Sequence, residues 1–430
     1  MLAGDTIMAL SSGALPSGVA VIRLSGPKAR EALLFMTGDL PKPRTLALRK
    51  IGADRQLDHG LVAWFPGPNS FTGEDCVEFQ VHGSPAGVKA ILRTLDDFGL
   101  RLAEPGEFTR RAFENGKLDL LAIEGLGDLL SAETEKQRQQ ALARYDGRLT
   151  ATVDAWRETL LNLRAEIEAR LDFSDEGDVD EDLPESFQSE LSALKHSIEA
   201  TLASVISGRI VREGIRVALA GAPNAGKSSL INALSKSDVA IVSDEAGTTR
   251  DVREVPLDIG GQLFILLDLA GLRDTASKAE AEGIRRAERA IADADILLWL
   301  VAPDVDDTTK PATSARVITI GTKADLDDRT GFDLTVSTET SLGLDALITR
   351  LSEIGGTLAG SEPALVSHER DRVGLQNAID ALAQTRAGLA DWELAAESLR
   401  HASQALERLI GRVDAEQVLD RLFSSFCIGK

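Results

Sequence analysis

Gly221-Ala-Pro-Asn-Ala-Gly-Lys-Ser228 has the glycine, lysine and hydroxyl spacing of a phosphate-binding loop. Its glycines let backbone N–H groups turn toward phosphate oxygens, Lys227 neutralises the terminal phosphates, and Ser228 offers a hydroxyl to Mg²⁺. The flanks suit that chemistry. Before it, Ile215-Arg-Val-Ala-Leu-Ala220 reads as a buried parallel strand, and after it Ser229-Leu-Ile-Asn-Ala-Leu234 has helical spacing. A helix starting there adds its positive dipole end to the site. The chain is expected to bind a nucleoside triphosphate.

Further groups follow in the order a GTP hydrolase needs. Gly247-Thr-Thr-Arg-Asp251 lies at first-switch distance from the loop, and Thr249 can join Ser228 on Mg²⁺. The apolar run Phe264-Ile-Leu-Leu-Asp268 leads into Leu269, Ala270 and Gly271, with Asp268 placed for the metal's water and Gly271 for the γ-phosphate. Ile296 to Val301 and Val317 to Gly321 read as further buried strands, the second entering Thr322-Lys-Ala-Asp325. A carboxylate at Asp325 accepts from guanine N1 and N2 donors, which adenine lacks. Strands alternating with helices predict a doubly wound, Ras-like α/β domain over residues 211–355.

Three positions depart from the usual pattern. Leu269 stands where a Thr is common, and Thr322 where an Asn touches guanine and ties its loop to the phosphate loop. Loss of one neutral contact there is expected to cost about 1 kcal/mol without abolishing guanine selectivity. Leu272 occupies the place of the glutamine that orients the attacking water, so another switch residue must serve, and Glu280 and Glu282 are both candidates.

The remaining sequence must position this machinery. Leu149, Val153, Trp156, Leu160, Leu163, Ile167 and Leu171 form one helical stripe, and Leu191, Leu194, Ile198, Leu202 and Val205 a second. Leu375, Ile379 and Leu382, then Leu406, Leu409 and Val413, repeat the pattern downstream. Each stripe needs a partner, and packing upstream against downstream helices leaves the nucleotide domain inserted between them. The first 118 residues instead read as an α+β module, with strand-like Val19 to Leu24, Leu61 to Phe65 and Cys76 to His82, and a helix over Ala86 to Phe98. In the Cys76 strand Val77, Phe79 and Val81 face one way, while Glu78, Gln80 and His82 make a polar face. Such a face is solvated, a ligand floor or a dimer seam.

Composition narrows the class. The 430 residues carry a net charge of −21, which opposes a broad non-specific grip on nucleic acid. Any RNA must meet a local basic patch or come through another protein. The acidic run Asp172 to Glu185 lacks calcium-loop spacing and reads as a solvated connector. Two cysteines, Cys76 and Cys427, cannot build a disulfide framework, no run reaches membrane-span length, and the first residues lack transit-peptide character. A cytoplasmic chain without membrane partners is expected.

The whole sequence resembles the tRNA modification GTPases of the MnmE (TrmE) type. The resemblance is carried by Asp5-Thr-Ile7, Gly18 to Gly26, Phe65 to Asp75, Pro105 to Arg110, Lys117 to Leu120, Gly247 to Asp251 and Phe426-Cys-Ile-Gly-Lys430. It implies three parts: a tetrahydrofolate-binding-like, dimerising module at 1–118, a discontinuous all-α domain at 119–210 and 356–430, and the inserted P-loop GTPase domain at 211–355. It also implies an MnmG-type FAD protein as partner in a heterotetramer. The pair would install an aminomethyl or carboxymethylaminomethyl group at C5 of the wobble uridine (U34) of certain tRNAs, using a tetrahydrofolate one-carbon unit.

Matching positions put Arg23, Glu78, Lys117 and Lys430 on a folate of the 5-formyl-tetrahydrofolate type. They put Asn224, Ala225, Gly226, Lys227, Ser228 and Ser229 on the nucleotide, joined by Ser243, Asp244, Glu245, Ala246, Gly247, Thr248 and Thr249. Asp268, Leu269, Ala270 and Gly271 complete the phosphate side, while Thr322, Lys323, Asp325, Ser337 and Thr338 surround the base. The resemblance selects Glu280 over Glu282 as the catalytic carboxylate. It gives the arginine finger's role to K⁺, held by Asn224, Ser243, Glu245 and Thr248. Cys427 is either chemical or packing. Two other readings stay open on the residues alone, a ribosome-assembly GTPase and a folate-sensing regulatory GTPase.

Overall fold

The computed structural model describes residues 4–172, 182–241, 253–268, 285, 288–305, 309–327, 330–413, 416–424, 426 and 429. The chain forms two compact units, Met1–Gly127 with Leu406–Lys430, and Asp128–Ala405.

The first unit is built on a six-stranded sheet of order β3-β4-β5-β2-β1-β6. Its strands are β1 (Ile7–Leu10), β2 (Ser17–Ser25), β3 (Ala47–Ile51), β4 (Asp58–Phe65), β5 (Cys76–Gly83) and β6 (Arg101–Leu102). All pairings are antiparallel except β1 with β6. Alternation decides the faces. Ile22, Leu24, Val77, Phe79 and Val81 bury against the helices Ala29–Thr37 and Pro85–Asp97. The intervening Arg23 and Glu78 fall on the opposite face, as the polar spacing predicts. There Ile7, Ala9, Ala103 and Phe108 make a smaller second core, with Phe71 packed beside it. The helix Glu416–Ser424 belongs to this unit: Phe423 lies against Gly106, and Arg110 stacks over the Phe423 ring at 5.0 Å while pairing with Asp420 at 2.7 Å.

In the second unit a six-stranded sheet has the order β12-β11-β10-β7-β9-β8. These strands are β7 (Ile215–Gly221), β8 (Arg253–Ile259), β9 (Gln262–Asp268), β10 (Ile296–Val301), β11 (Arg316–Gly321) and β12 (Leu334–Thr335). Both faces are covered, as a parallel sheet requires. Ile215, Val217 and Leu219 enter one core, and Ala218 and Ala220 the other. Two strands of this sheet escaped the sequence reading, β8 and the short β12. β8 runs antiparallel to β9 through Gly260 and Gly261, whose φ values of 64° and 78° are those a tight two-residue hairpin demands.

The helices of the chain follow the stripes, with two corrections. Leu149, Val153, Trp156, Leu160, Leu163 and Ile167 are buried in the helix Arg148–Asp172, and Leu191, Leu194 and Ile198 in the helix Glu185–Ala203. Val205, however, opens a separate helix, Val205–Glu213, because the chain breaks at Ser204. Likewise Val413 lies past the end of the helix Trp392–Leu409 that carries Leu406 and Leu409. Upstream and downstream halves are locked by buried polar groups. Gln140 donates to the carbonyls of Gly208 and Ala364 at 3.1 and 2.7 Å, and Arg144 donates to Asp371 at 2.7 Å with both side chains at most 1% exposed. Burial opposes ionisation of Asp371, but Arg144, Arg370 and His368 outweigh it and hold its carboxyl below the usual range.

Candidate functional sites

At the end of β7 the chain turns through Asn224, at φ 63°, and Gly226, at φ 91°, into the helix Lys227–Leu234. Asn224, Ser228 and Ser229 are exposed, while Ala225 is fully buried and fixes the loop on the core. The Lys227 ammonium folds back over the loop, donating to the carbonyls of Gly221 and Ala222 at 3.0 and 2.8 Å. Its charge therefore sits beside the helix N-terminus, where an anion is favoured. Asp268 closes β9, directly paired in register with Leu219 of β7, and is buried. A hydroxyl at the first helical turn and a carboxylate at the neighbouring strand end are the oxygen donors that a hydrated Mg²⁺ takes. Of the residues expected on K⁺, only Asn224 is described.

The base side is assembled by two loops. Thr322 is buried and its hydroxyl donates to the Ala225 carbonyl at 2.8 Å, 97 residues away, with the Val301 carbonyl at 3.3 Å. The tie to the phosphate loop, expected to be lost with the missing asparagine, is therefore made by the threonine hydroxyl. Ser337 is fully buried and donates to Asp325 Oδ1, fixing one carboxylate oxygen. Lys323, at φ 56°, pairs with Asp304 at 2.6 Å. Thr338 follows Ser337 in the same turn and is half-buried. Replacing Thr322 by valine should raise the GDP dissociation rate severalfold, about 1 kcal/mol for one neutral hydrogen bond, while Thr322→Ser stays near the parent. Stopped-flow release of a fluorescent GDP reads this, and equal rates for the valine variant and the parent would contradict it.

In the first unit, Arg23 and Glu78 are direct cross-strand partners. Arg23 Nε and Nη2 donate to the same Glu78 oxygen at 3.1 and 2.9 Å, and each side chain keeps about a fifth of its surface exposed (22% and 21%). Among the described residues the second Glu78 oxygen accepts no hydrogen bond. The Arg23 guanidinium stands 5.5 Å from the Phe71 ring and 5.9 Å from that of Phe108. Lys117 is exposed, with its stem close to Gly73. Gly429, at φ 100°, lies so close to Leu10 and Ser11 that an added Cβ would sit 2.6 Å from the Leu10 carbonyl oxygen. Leu10 is one residue along β1 from Ala9, the register partner of Arg23. Ser243 to Thr249, Leu269 to Leu272, Glu280, Glu282, Cys427, Lys430 and most of the acidic connector lie outside the described residues.

Sequence reasoning missed the ionic cluster beneath this pair. Arg111 Nη2 donates to Asp5 at 2.6 Å and to Glu107 at 3.0 Å, and its Nη1 to Glu74 at 3.1 Å. Arg101 spans Asp5 at 2.6 Å and Glu107 at 2.8 Å. The i,i+4 spacing of Glu107 and Arg111 was a legible signal, but only the fold brings Asp5 and Glu74 to the same guanidinium. Burial opposes ionisation of Asp5 and Glu107, yet hydrogen bonds and charges from Arg101 and Arg111 outweigh it and hold both carboxyls below their usual range.

Folded-state values below the unfolded ones, about 3.9 for Asp and about 4.3 for Glu, give stability that is complete well above those values and lost as pH falls through the folded ones. Urea unfolding of the parent should thus weaken between pH 5 and pH 3, and Arg111→Met should show a smaller loss over that interval. An equal loss in both proteins would contradict the assignment.

A strand–loop–helix phosphate site with a guanine-side carboxylate, on a mostly parallel sheet, defines a P-loop GTPase bearing additional modules. Residues 120–427 match the family model described as the MnmE helical domain, and residues 6–117 the GTP-binding protein TrmE N-terminus. The chain belongs to the MnmE family of tRNA modification GTPases. It is 49% identical over 437 residues to the tRNA modification GTPase MnmE of Azorhizobium caulinodans, covering 99% of each chain. It is 48% identical over 436 residues to that of Rhizobium etli, again covering 99% of each. Among solved structures, the G domain of the T. maritima FeoB iron transporter is similar over 32% of this chain and 97% of its own, at 25% identity and a TM-score of 0.24. No helix among the described residues is long and apolar enough to cross a membrane.

Proposed function

We propose that this chain is a K⁺-dependent GTPase of the cytoplasm that works with an MnmG-type FAD protein. Together they would form aminomethyl or carboxymethylaminomethyl groups at C5 of U34 in certain tRNAs. The observation that carries the reading is the Arg23–Glu78 pair on the outer sheet face, with Gly429 packed against the end of β1. That arrangement brings Gly429 toward the end of β1 beside a carboxylate and a cation suited to a folate. Glu78 offers an acceptor to the amide-like donors of a pterin, and Lys117 and Lys430 offer cations to its glutamate tail. A tetrahydrofolate derivative bound there supplies the one-carbon unit.

In the nucleotide site, Lys227 and the helix N-terminus neutralise phosphate charge, Ser228, Thr249 and Asp268 hold Mg²⁺ directly or through water, and Asp325 selects guanine. Asn224, Ser243, Glu245 and Thr248 hold K⁺, and Glu280 orients the attacking water. The two cations, when bound, supply the charge neutralisation that an arginine finger gives elsewhere. Division into 1–118, 119–210 with 356–430, and 211–355 follows the same reading. Leu48 and Leu61, direct partners across β3 and β4 at 57% and 37% exposure, share the face of Glu78 and Gln80, which favours a homodimer seam there.

The cofactor reading is tested by calorimetry with 5-formyl-tetrahydrofolate on the parent, Arg23→Ala and a chain lacking Lys430. Loss of one charge-assisted contact, about 1.5–3 kcal/mol, should weaken binding roughly tenfold to a hundredfold in each variant. Unchanged affinity in both would remove the site from this face.

A further inference from the structure

Residues 66–75 join β4 to β5 and run past two of the groups assigned above to the folate, Arg23 and Lys117. Phe71 stands against Arg23, which in turn holds Glu78. Gly73, at φ 81°, lies where an added Cβ would come within 2.9 Å of Asn115 Cβ and 3.2 Å of Lys117 Cε, so a larger residue there would push Lys117 away. Asn115 secures this approach by donating to the Thr72 carbonyl at 2.7 Å.

The loop is itself pinned from below. Thr72 and Ser25, both fully buried, share a hydrogen bond of 2.6 Å between their hydroxyls. Ser25 is also 2.6 Å from Glu74 Oε2, and the Glu74 amide donates to the Thr72 hydroxyl at 3.2 Å. Glu74 then meets Arg111, which is anchored by Asp5 and Glu107. A buried guanidinium with three carboxylate partners is strongly directional, since its planar donors fix where each carboxylate lies. The chain of contacts from Arg111 through Glu74 and Thr72 therefore ends on Phe71 and Gly73, either side of the ligand face.

We propose that Arg111, acting through Glu74 and Thr72, is a positioning residue for this ligand site: it sets the 66–75 loop so that Phe71 shields one side of Arg23 and Gly73 admits Lys117. Arg111 touches no part of the ligand in this scheme. The inference rests on the cofactor reading for what the site binds, but the positioning itself can be read without ligand.

The test is phenylglyoxal labelling of the full-length protein, with the rate at each arginine followed by peptide mass spectrometry. Glu74→Gln keeps the side-chain volume but removes the charge that meets Arg111, and Thr72→Val keeps the shape but removes the hydroxyl. Each should speed labelling of Arg23 severalfold while leaving Arg30, an exposed arginine on the neighbouring helix, at the parent rate. Arg111 should stay unlabelled in a folded variant, so the Thr72 change remains informative if the Glu74 change unfolds the unit. Arg23 labelling at the parent rate in the folded variants, or equal acceleration of Arg23 and Arg30, would overturn the proposal. A parallel series with 5-formyl-tetrahydrofolate separates the two ideas. Absence of Arg23 protection in the parent refutes the cofactor reading, whereas faster Arg23 labelling in the variants still supports the positioning role.

Discussion

Replacing Glu280 by alanine is expected to lower kcat for GTP hydrolysis about 10²- to 10⁴-fold, the usual share of a group that orients or activates the attacking water. Nucleotide affinity should stay near the parent value, because the groups that grip phosphate and guanine lie elsewhere. Lys227 sits over the phosphate loop, Thr322 ties that loop to the base side, and Ser337 holds Asp325. The replacement Glu282→Ala should change kcat little. Leu272 requires that another switch residue serve, since an apolar side chain cannot orient water, and the family resemblance selects Glu280 for that role. Single-turnover hydrolysis with separately measured GTP binding decides it, and a damaging Glu282 change beside a harmless Glu280 change would shift the assignment to Glu282.

The largest effect on stability should come from Arg144→Ala. Arg144 and Asp371 are 227 residues apart in sequence and form a buried pair joining the helices Glu135–Tyr145 and Glu369–Ala387. Arg144 also donates to the Leu365 carbonyl. Removing the guanidinium leaves a carboxylate buried without its main counter-charge, at a cost of about 3–5 kcal/mol. Replacing both partners by apolar residues should recover part of that loss, because the desolvation of both charges is then avoided. By contrast the exposed pair Arg350–Glu353 should contribute at most about 1 kcal/mol. Urea unfolding followed by Trp fluorescence measures all three variants. An Arg144→Ala loss no larger than that of Arg350→Ala would contradict this role.

Much of this architecture could be read from local pattern. The phosphate loop was legible because its chemistry is contiguous: seven peptide bonds carry the glycines, the lysine and the hydroxyl. Strand alternation placed Glu78 opposite Phe79, and helical spacing found the buried stripe from Leu149 to Ile167. What stayed hidden depended on distance along the chain. Arg111 meets Glu107 one helical turn before it, a spacing the sequence shows, but it also gathers Asp5 and Glu74 from distant segments, and neither their types nor their spacing announces that partner. Thr322 read as the loss of a tether because an amide was missing. In the fold the shorter hydroxyl reaches Ala225 because the loop itself lies close. The break at Ser204 was equally invisible, since Leu202 and Val205 keep helical spacing across it.

In the proposed function, one chain joins a nucleotide switch to a folate site in order to modify the wobble uridine. Mass spectrometry of tRNA nucleosides tests it most directly, using a deletion strain complemented with the parent, Arg23→Ala or Lys227→Ala. The deletion and both variants should lack the C5 substituent at U34, and the parent should restore it. Normal wobble nucleosides in the deletion strain would contradict the account.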